Sequence, residues 1–251
     1  MIQQTCALLR EMRLPAMEQA YKGQDELAAC GALSFDERFG LLVQAEWEKR
    51  QDTKLTRLLK AACLRSRAAC LEELSYTAGR NLEKSLVAHL GDCRWIRKGQ
   101  NLLVSGACGT GKTYLASAFG NAACRHGYSV RFLRLPRLLV DLHIGRGDGS
   151  WAKILMDVKK PDLLILDDFG LAPLEPLHCR DFLEVVEERY GSVSTIVASQ
   201  LPVSSWRSVF ADATIAEAVL DRLLQGAHRF ELKGPSLRQR DSTNVDSEMQ
   251  K

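Results

Sequence analysis

Gly106-Ala107-Cys108-Gly109-Thr110-Gly111-Lys112-Thr113 matches the phosphate-loop pattern GxxxxGK[ST] at every fixed position. The chemistry requires these residue types. Glycines let backbone amides curl around a polyphosphate, the lysine reaches the β and γ phosphates, and the hydroxyl of Thr113 is available to Mg2+. The pattern also requires a strand before it and a helix after it. Leu102 to Ser105 is an apolar run of strand length, and helical period follows from Leu115 to Arg125. Gly106, Ala107, Cys108, Gly109, Thr110, Gly111, Lys112 and Thr113 are therefore expected to bind ATP.

A phosphate loop needs a carboxylate linked to Mg2+ and a group that orients water before it can hydrolyse anything. Leu163-Leu164-Ile165-Leu166-Asp167-Asp168 supplies both at the end of an apolar run. Asp167 is the expected Mg2+ ligand alongside Thr113, and Asp168 the group that polarises water; a helix cap or turn before Phe169-Gly170 is the alternative for the pair. Many ATPases carry Glu at the second position. The shorter Asp predicts slow turnover that depends on assembly. Downstream, Ser194 to Ser199 reads as a strand ending at Gln200, whose amide either senses the γ-phosphate or caps a turn before Pro202. Arg222, on the helical stretch Ala216 to Leu224, either reaches a neighbouring subunit's nucleotide or forms an intrahelical ion pair.

These residues sit in a chain of ordinary globular composition. Its 251 residues are 46% hydrophobic, 26% charged and 7% aromatic, with 18 Gly and 7 Pro, which excludes disorder, collagen and coiled coil as the main architecture. No apolar run reaches the ~20 residues of a membrane helix and no signal peptide is evident, so a cytoplasmic protein with no membrane association is expected. The eight cysteines show no Cys-x-x-Cys and no zinc spacing; they read as reduced, small hydrophobes.

Charge is unevenly distributed. Residues 1–48 hold four Lys/Arg against eight Asp/Glu, whereas residues 49–67 hold seven against one. Ser34 and Glu37 form a capping box that opens a helix through Phe39, Leu42, Val43 and Trp47, and Pro15 fits a break or a first helical turn. From Lys54 onward, Leu55, Leu58, Leu59, Ala62 and Cys63 line one helix face, with Lys54, Arg57, Lys60, Arg65 and Arg67 on the remaining arc. Such a face is either solvated surface or a phosphate-contacting nucleic-acid surface.

After residue 100 the texture alternates. Strand-length runs at Leu102 to Ser105, Val130 to Leu133, Leu163 to Leu166, Thr195 to Ser199 and His228 to Leu232 are separated by helical segments such as Leu115 to Arg125 and Phe182 to Tyr190. This predicts an α/β fold, a central parallel sheet flanked by helices, preceded by a small all-helical N-terminal domain. The expected domains are residues 1–70, helical and binding DNA or a partner, and 71–240, the nucleotide-binding body, with 241–251 a frayed polar tail.

The chain resembles the IstB-type ATP-binding helpers of insertion-sequence transposition, which are similar to the DnaC-type helicase loaders among the AAA+ P-loop ATPases. The phosphate loop, Asp162 to Leu171, Glu188-Arg189-Tyr190, Ser194 to Pro202, Trp206, Ala216 to Leu223 and the residues from Ala227 to Arg238 carry the resemblance, which covers about residues 5 to 240. It implies an AAA+ fold, an ATP-dependent oligomer, binding to duplex DNA, and a transposase partner encoded in the same element. It also implies that Arg222 acts in trans, that Arg238 is a second γ-phosphate sensor, and that Arg189 is a further inter-subunit candidate. Gln200 stands where the loaders tend to have Asn, which keeps an amide but changes its reach.

The function expected is thus a Mg2+-dependent ATPase that assembles on target DNA and recruits or stimulates the transposase. A helicase loader gripping single-stranded DNA and a small-molecule kinase are the competitors. Arg146-Gly147-Asp148 reads as a glycine-rich loop. Arg125, Arg131, Arg134, Arg137, Lys153, Lys159 and Lys160 are read as solvated surface or as the DNA-facing side of the body.

Overall fold

The computed structural model describes residues 2–24, 33–77 and 79–237. The chain divides into two compact units, one ending at Arg57 and the other beginning at Leu58.

The first unit holds α1 (Ile2–Glu11), α2 (Pro15–Gln24) and most of α3 (Phe35–Ala62). Pro15 occupies the first position of α2, where its missing N–H costs nothing. Glu46 on α3 caps α2 from outside, accepting hydrogen bonds from Ala16 N at 3.0 Å and Met17 N at 3.2 Å. Glu18 is clamped by Arg10 at 2.7 Å and Lys22 at 2.6 Å, and the two cations hold its carboxyl down at about 2. The capping box forms as expected: Ser34 N donates to Glu37 Oε2 at 2.8 Å, and Glu37 N donates to Ser34 Oγ at 3.3 Å.

The basic helix is shorter than its periodicity predicts. α3 ends at Ala62, and Cys63 takes a left-handed conformation with φ of +51°. Lys54, Arg57 and Lys60 are helical, but Arg65 and Arg67 lie past the break and do not share the helical arc. Burial explains the stop: the leucine stripe gives way to Leu64, buried at 5% exposure, which turns inward against the body.

The second unit continues with α4 (Lys84–Gly91), α5 (Arg94–Arg97), β1 (Leu102–Gly106), α6 (Lys112–Arg125), β2 (Val130–Arg134), α7 (Leu135–Asp148) and α8 (Trp151–Lys159). Next come β3 (Leu163–Phe169), α9 (Pro176–Arg189), β4 (Ser194–Ser199), a 3-10 helix (Val203–Val209), α10 (Ala213–Leu224) and β5 (His228–Leu232). The five expected strands form one parallel sheet in the order β2-β3-β4-β1-β5. Leu163 to Leu166 and Leu102 to Val104 are buried throughout because helices cover both sheet faces. Burial on the edge is less uniform: on β2, Val130 and Phe132 are buried while Arg131 and Arg134 are exposed. Beside the sheet, Phe169 packs on Trp206 with ring centroids 4.6 Å apart, and both are almost completely buried.

Arg146-Gly147-Asp148 is not a loop. It forms the last turn of α7, where Arg146 bonds the fully buried Asp181 and Gly149, at φ +80°, ends the helix. No helix of the described residues is long and apolar enough to cross a membrane.

Candidate functional site

Parallel strands deliver their C-terminal ends to one edge of the sheet, and a crevice opens there where successive crossovers diverge. β1 ends in the phosphate loop, β3 in Asp167 and Asp168, and β4 just before Gln200. These ends line a cleft of about 420 Å³. Lys112, Thr113, Asp167, Asp168 and Gln200, inferred separately from the chain, therefore share one cavity.

The loop is pinned from several sides. Gly106 has φ of +149°, and a Cβ there would stand 2.3 Å from the carbonyl oxygen of Leu232 on β5, so only glycine fits. Leu237 N donates to Gly109 O at 2.9 Å. Arg80 bridges Ser75 O at 2.6 Å and Thr110 O at 3.1 Å. Lys112, the first residue of α6, is buried and donates to Ala107 O at 2.8 Å, folding its ammonium back across the loop. Cys108 is exposed and lines the cleft.

Asp167 is only 2% exposed. Its Oδ2 accepts from Thr113 Oγ1 at 2.8 Å and its Oδ1 from Asp168 N at 3.0 Å. Burial pushes its pKa up, while the Thr113 hydroxyl, the Asp168 amide and the charge of Arg65 oppose that shift. A hydroxyl already bonded to a carboxylate is a pair of hard oxygen donors that fits Mg2+, which takes one or two carboxylates and completes its shell with phosphate oxygens and water. Asp168 departs from regular strand geometry, with φ of +63° at a register shift between Leu166 and Phe169. That turn sends its carboxylate away from Asp167 and toward β2. There Arg134 Nε lies 2.6 Å from Asp168 Oδ2.

Gln200 is exposed just past β4, and the turn beneath it is held by Ser199 Oγ, which donates to Phe169 O at 2.8 Å and accepts from Leu201 N at 3.1 Å. Arg222 is elsewhere. Asn101, at the opposite end of β1, donates to the carbonyls of Arg222 and Leu223, both at 3.3 Å. The Arg222 guanidinium bonds Ala218 O at 2.8 Å, pairs with Glu187 at 2.6 Å and lies over the Tyr190 ring. Arg238 falls outside the described residues.

Arg189 is not a surface contact. It is 2% exposed and donates to the carbonyls of Val158, Lys159, Pro161 and Ser194 and to Thr195 Oγ1. Burial lowers its pKa to about 9. It ties the start of β3 and β4 to α8, a structural task carried out away from the surface.

Among the basic residues, Lys54, Arg57 and Lys60 are exposed on α3, and Arg67 is exposed with its carbonyl bonded by Asn121 at 3.4 Å. Arg125, Arg137 and Lys159 pair with Glu72, Asp141 and Glu188, so local acids compensate much of the body's positive charge. Arg65 lines the nucleotide cleft. Arg134, Arg65 and Arg80 are the site residues that sequence reasoning missed or assigned elsewhere. Arg134 alone left a signal: a charged residue closing a strand in a parallel sheet lies at the ligand-binding edge.

A family profile described as IstB-like ATP binding protein matches residues 7–245. An ATP-binding protein of insertion sequence IS1162 from Pseudomonas fluorescens is 49% identical over 205 residues, 82% of this chain and 89% of that one. The insertion-sequence ATP-binding protein y4pL of Sinorhizobium fredii is 42% identical over 230 residues, 92% and 94% of the two chains. Among solved structures, the DnaC helicase loader superposes with a TM-score of 0.58 at 20% identity, covering 66% of this chain and 97% of that one. The replication initiator DnaA, bound to AMPPCP and single-stranded DNA, gives 0.57 at 19% identity over 74% and 56%. At these identities the structural likeness concerns the fold alone, a parallel sheet flanked by helices.

Proposed function

The chain belongs to the IstB-like ATP-binding family, and from that premise we propose that it is a Mg2+-dependent ATPase whose ATP-bound form assembles on duplex target DNA and recruits or stimulates the transposase of its insertion sequence. One observation carries the reading: Lys112, Thr113, Asp167, Asp168 and Gln200 share a cleft from which Arg222 of the same chain is excluded by its place at the opposite end of β1. A nucleotide cleft that its own Arg222 cannot reach is completed by Arg222 of a neighbour.

In this mechanism the loop amides and Lys112 bind the polyphosphate, and Thr113 with Asp167 would hold Mg2+, whose charge would offset that of the phosphates. Asp168, released from Arg134, accepts a proton from the attacking water as its oxygen bonds to the γ-phosphorus and the bond to the β-phosphate oxygen breaks. Gln200 orients the terminal phosphate. Arg222 of another copy, freed from Glu187, stabilises the charge that develops, a contribution on the order of 10³ or more in rate for such arginines. Assembly multiplies weak phosphate contacts from Lys54, Arg57 and Lys60, making DNA affinity cooperative and salt-dependent.

The test is ATP hydrolysis and sedimentation at matched salt with no DNA, long duplex DNA or single-stranded DNA. Stimulation by duplex, with assembly in ATP that Lys112→Ala abolishes, is expected. Stimulation by single strands alone would favour a helicase-loader role, and assembly unchanged in Lys112→Ala would remove nucleotide control from the account.

A further inference from the structure

Three residues past the end of α3, Arg65 occupies a fixed position with an unengaged head. Its backbone is fastened on both sides. Arg131 donates to Ala61 O at 3.3 Å, and Leu64 is buried against α6, where a Cβ on Gly120 would stand 2.8 Å from both Leu64 Cδ2 and Ile165 Cδ1. Beyond it, Asn121 holds Arg67 O at 3.4 Å, and Ala69 is fully buried. The Arg65 side chain is exposed, lines the cleft with Lys112, Thr113, Asp167 and Asp168, and makes no hydrogen bond or ion pair among the described residues.

Its surroundings identify the missing partner. Asp168 is matched by Arg134 at 2.6 Å, and Lys112 is bonded within its own loop. Arg65 is thus a cation in the cleft not already matched by contact. It shares the cavity lining with Asp167 and Asp168, the carboxylate end of the cleft, where a phosphate-loop site holds the terminal phosphate. A guanidinium presents a planar fork of donors that fits phosphate oxygens, and a rigid backbone anchor lowers the entropy lost on engagement.

We propose that Arg65 contacts the terminal phosphate of ATP bound in its own subunit, so that the cleft distinguishes ATP from ADP before any neighbouring subunit contributes Arg222. The proposal rests on the ATP-binding reading of the cleft. It removes Arg65 from the DNA-contacting set and assigns it to nucleotide discrimination.

The test is direct binding of a fluorescent non-hydrolysable ATP analogue and of the matching ADP analogue to the full chain in Mg2+, by anisotropy. Arg65→Ala and Arg65→Gln should weaken the triphosphate about tenfold and the diphosphate less than about twofold, with Arg65→Lys intermediate because an ammonium lacks the fork. These substitutions are at an exposed side chain, and unchanged thermal melting will establish that the variants fold. Equal weakening of both nucleotides, or no change in either, overturns the proposal. Loss of duplex affinity with wild-type nucleotide preference also overturns it and returns Arg65 to the DNA-binding surface. Lys112→Ala is the control: if it binds both nucleotides like wild type, the ATP-binding reading itself fails, independently of Arg65.

Discussion

Arg134, the last residue of β2, holds its Nε 2.6 Å from Oδ2 of Asp168, so the carboxylate proposed to activate water is occupied by a cation from the adjacent strand. The pair follows from register: Arg134 lies opposite Asp167, and the left-handed turn at Asp168 carries that side chain back toward β2. Arg134 is about half-exposed and Asp168 less so, which makes the pair breakable at modest cost. Under the proposed mechanism the pair restrains the basal state, and hydrolysis requires its release.

Arg134→Ala should therefore raise DNA-independent hydrolysis several-fold, while Asp168→Asn should lower turnover by about 10²–10⁴ with nucleotide binding retained. Phosphate release at saturating ATP measures both. A slower Arg134→Ala would mean that the arginine positions Asp168 for catalysis instead of restraining it.

Arg222 and Asp168 belong to different halves of a shared site under the proposed mechanism. Arg222→Ala and Asp168→Asn should each be inactive alone, yet an equimolar mixture should recover hydrolysis, because some interfaces then combine an intact Asp168 with an intact Arg222. Glu187→Gln, which frees Arg222 from its partner at 2.6 Å, should leave turnover equal or faster. Failure of the mixture to recover activity would place the arginine outside the interface.

The basic surface of α3 reduces to Lys54, Arg57 and Lys60 once the helix is seen to end at Ala62. Replacing all three with Gln should weaken duplex binding and flatten the log K against log salt slope by about 0.9 for each phosphate no longer neutralised. A slope equal to wild type would make this helix face ordinary solvated surface.

Asp167 links pH to both stability and ligand binding. Its folded pKa is raised by burial, so the ionised carboxylate destabilises the nucleotide-free protein above the unfolded value of about 3.9, and the difference vanishes below it. Asp167→Asn should accordingly melt at or above wild type at pH 7, with the gap closing as pH falls toward that value. Mg2+-dependent nucleotide binding by the wild type should decline on acidification from a higher pH than an ordinary aspartate would give. A variant that melts well below wild type at pH 7 would contradict this sign.

How far local sequence carried the reading can be seen residue by residue. The phosphate loop, the paired aspartates closing β3, all five strands and the capping box at Ser34 and Glu37 were legible because each depends on neighbours a few positions away: a glycine that must adopt positive φ, a carboxylate at the end of a buried run, a hydroxyl three residues from an acid. Periodicity overran at Cys63, since apolar spacing registers a helical face but not the point where Leu64 finds a better pocket in the body. Local reading also took Arg146-Gly147-Asp148, the last turn of α7, for a loop, while Arg146 is held by a buried acid 35 residues away.

The tertiary structure alone decided the strand order β2-β3-β4-β1-β5, and with it every long-range meeting of side chains. Arg134 at Asp168, Arg65 in the cleft, Arg222 on Glu187 and Arg189 buried among carbonyls are all arginines that look alike in sequence. A long, flexible cation acquires its role from what lies within its reach once the sheet is assembled, and that reach depends on register and crossover, which no local pattern specifies.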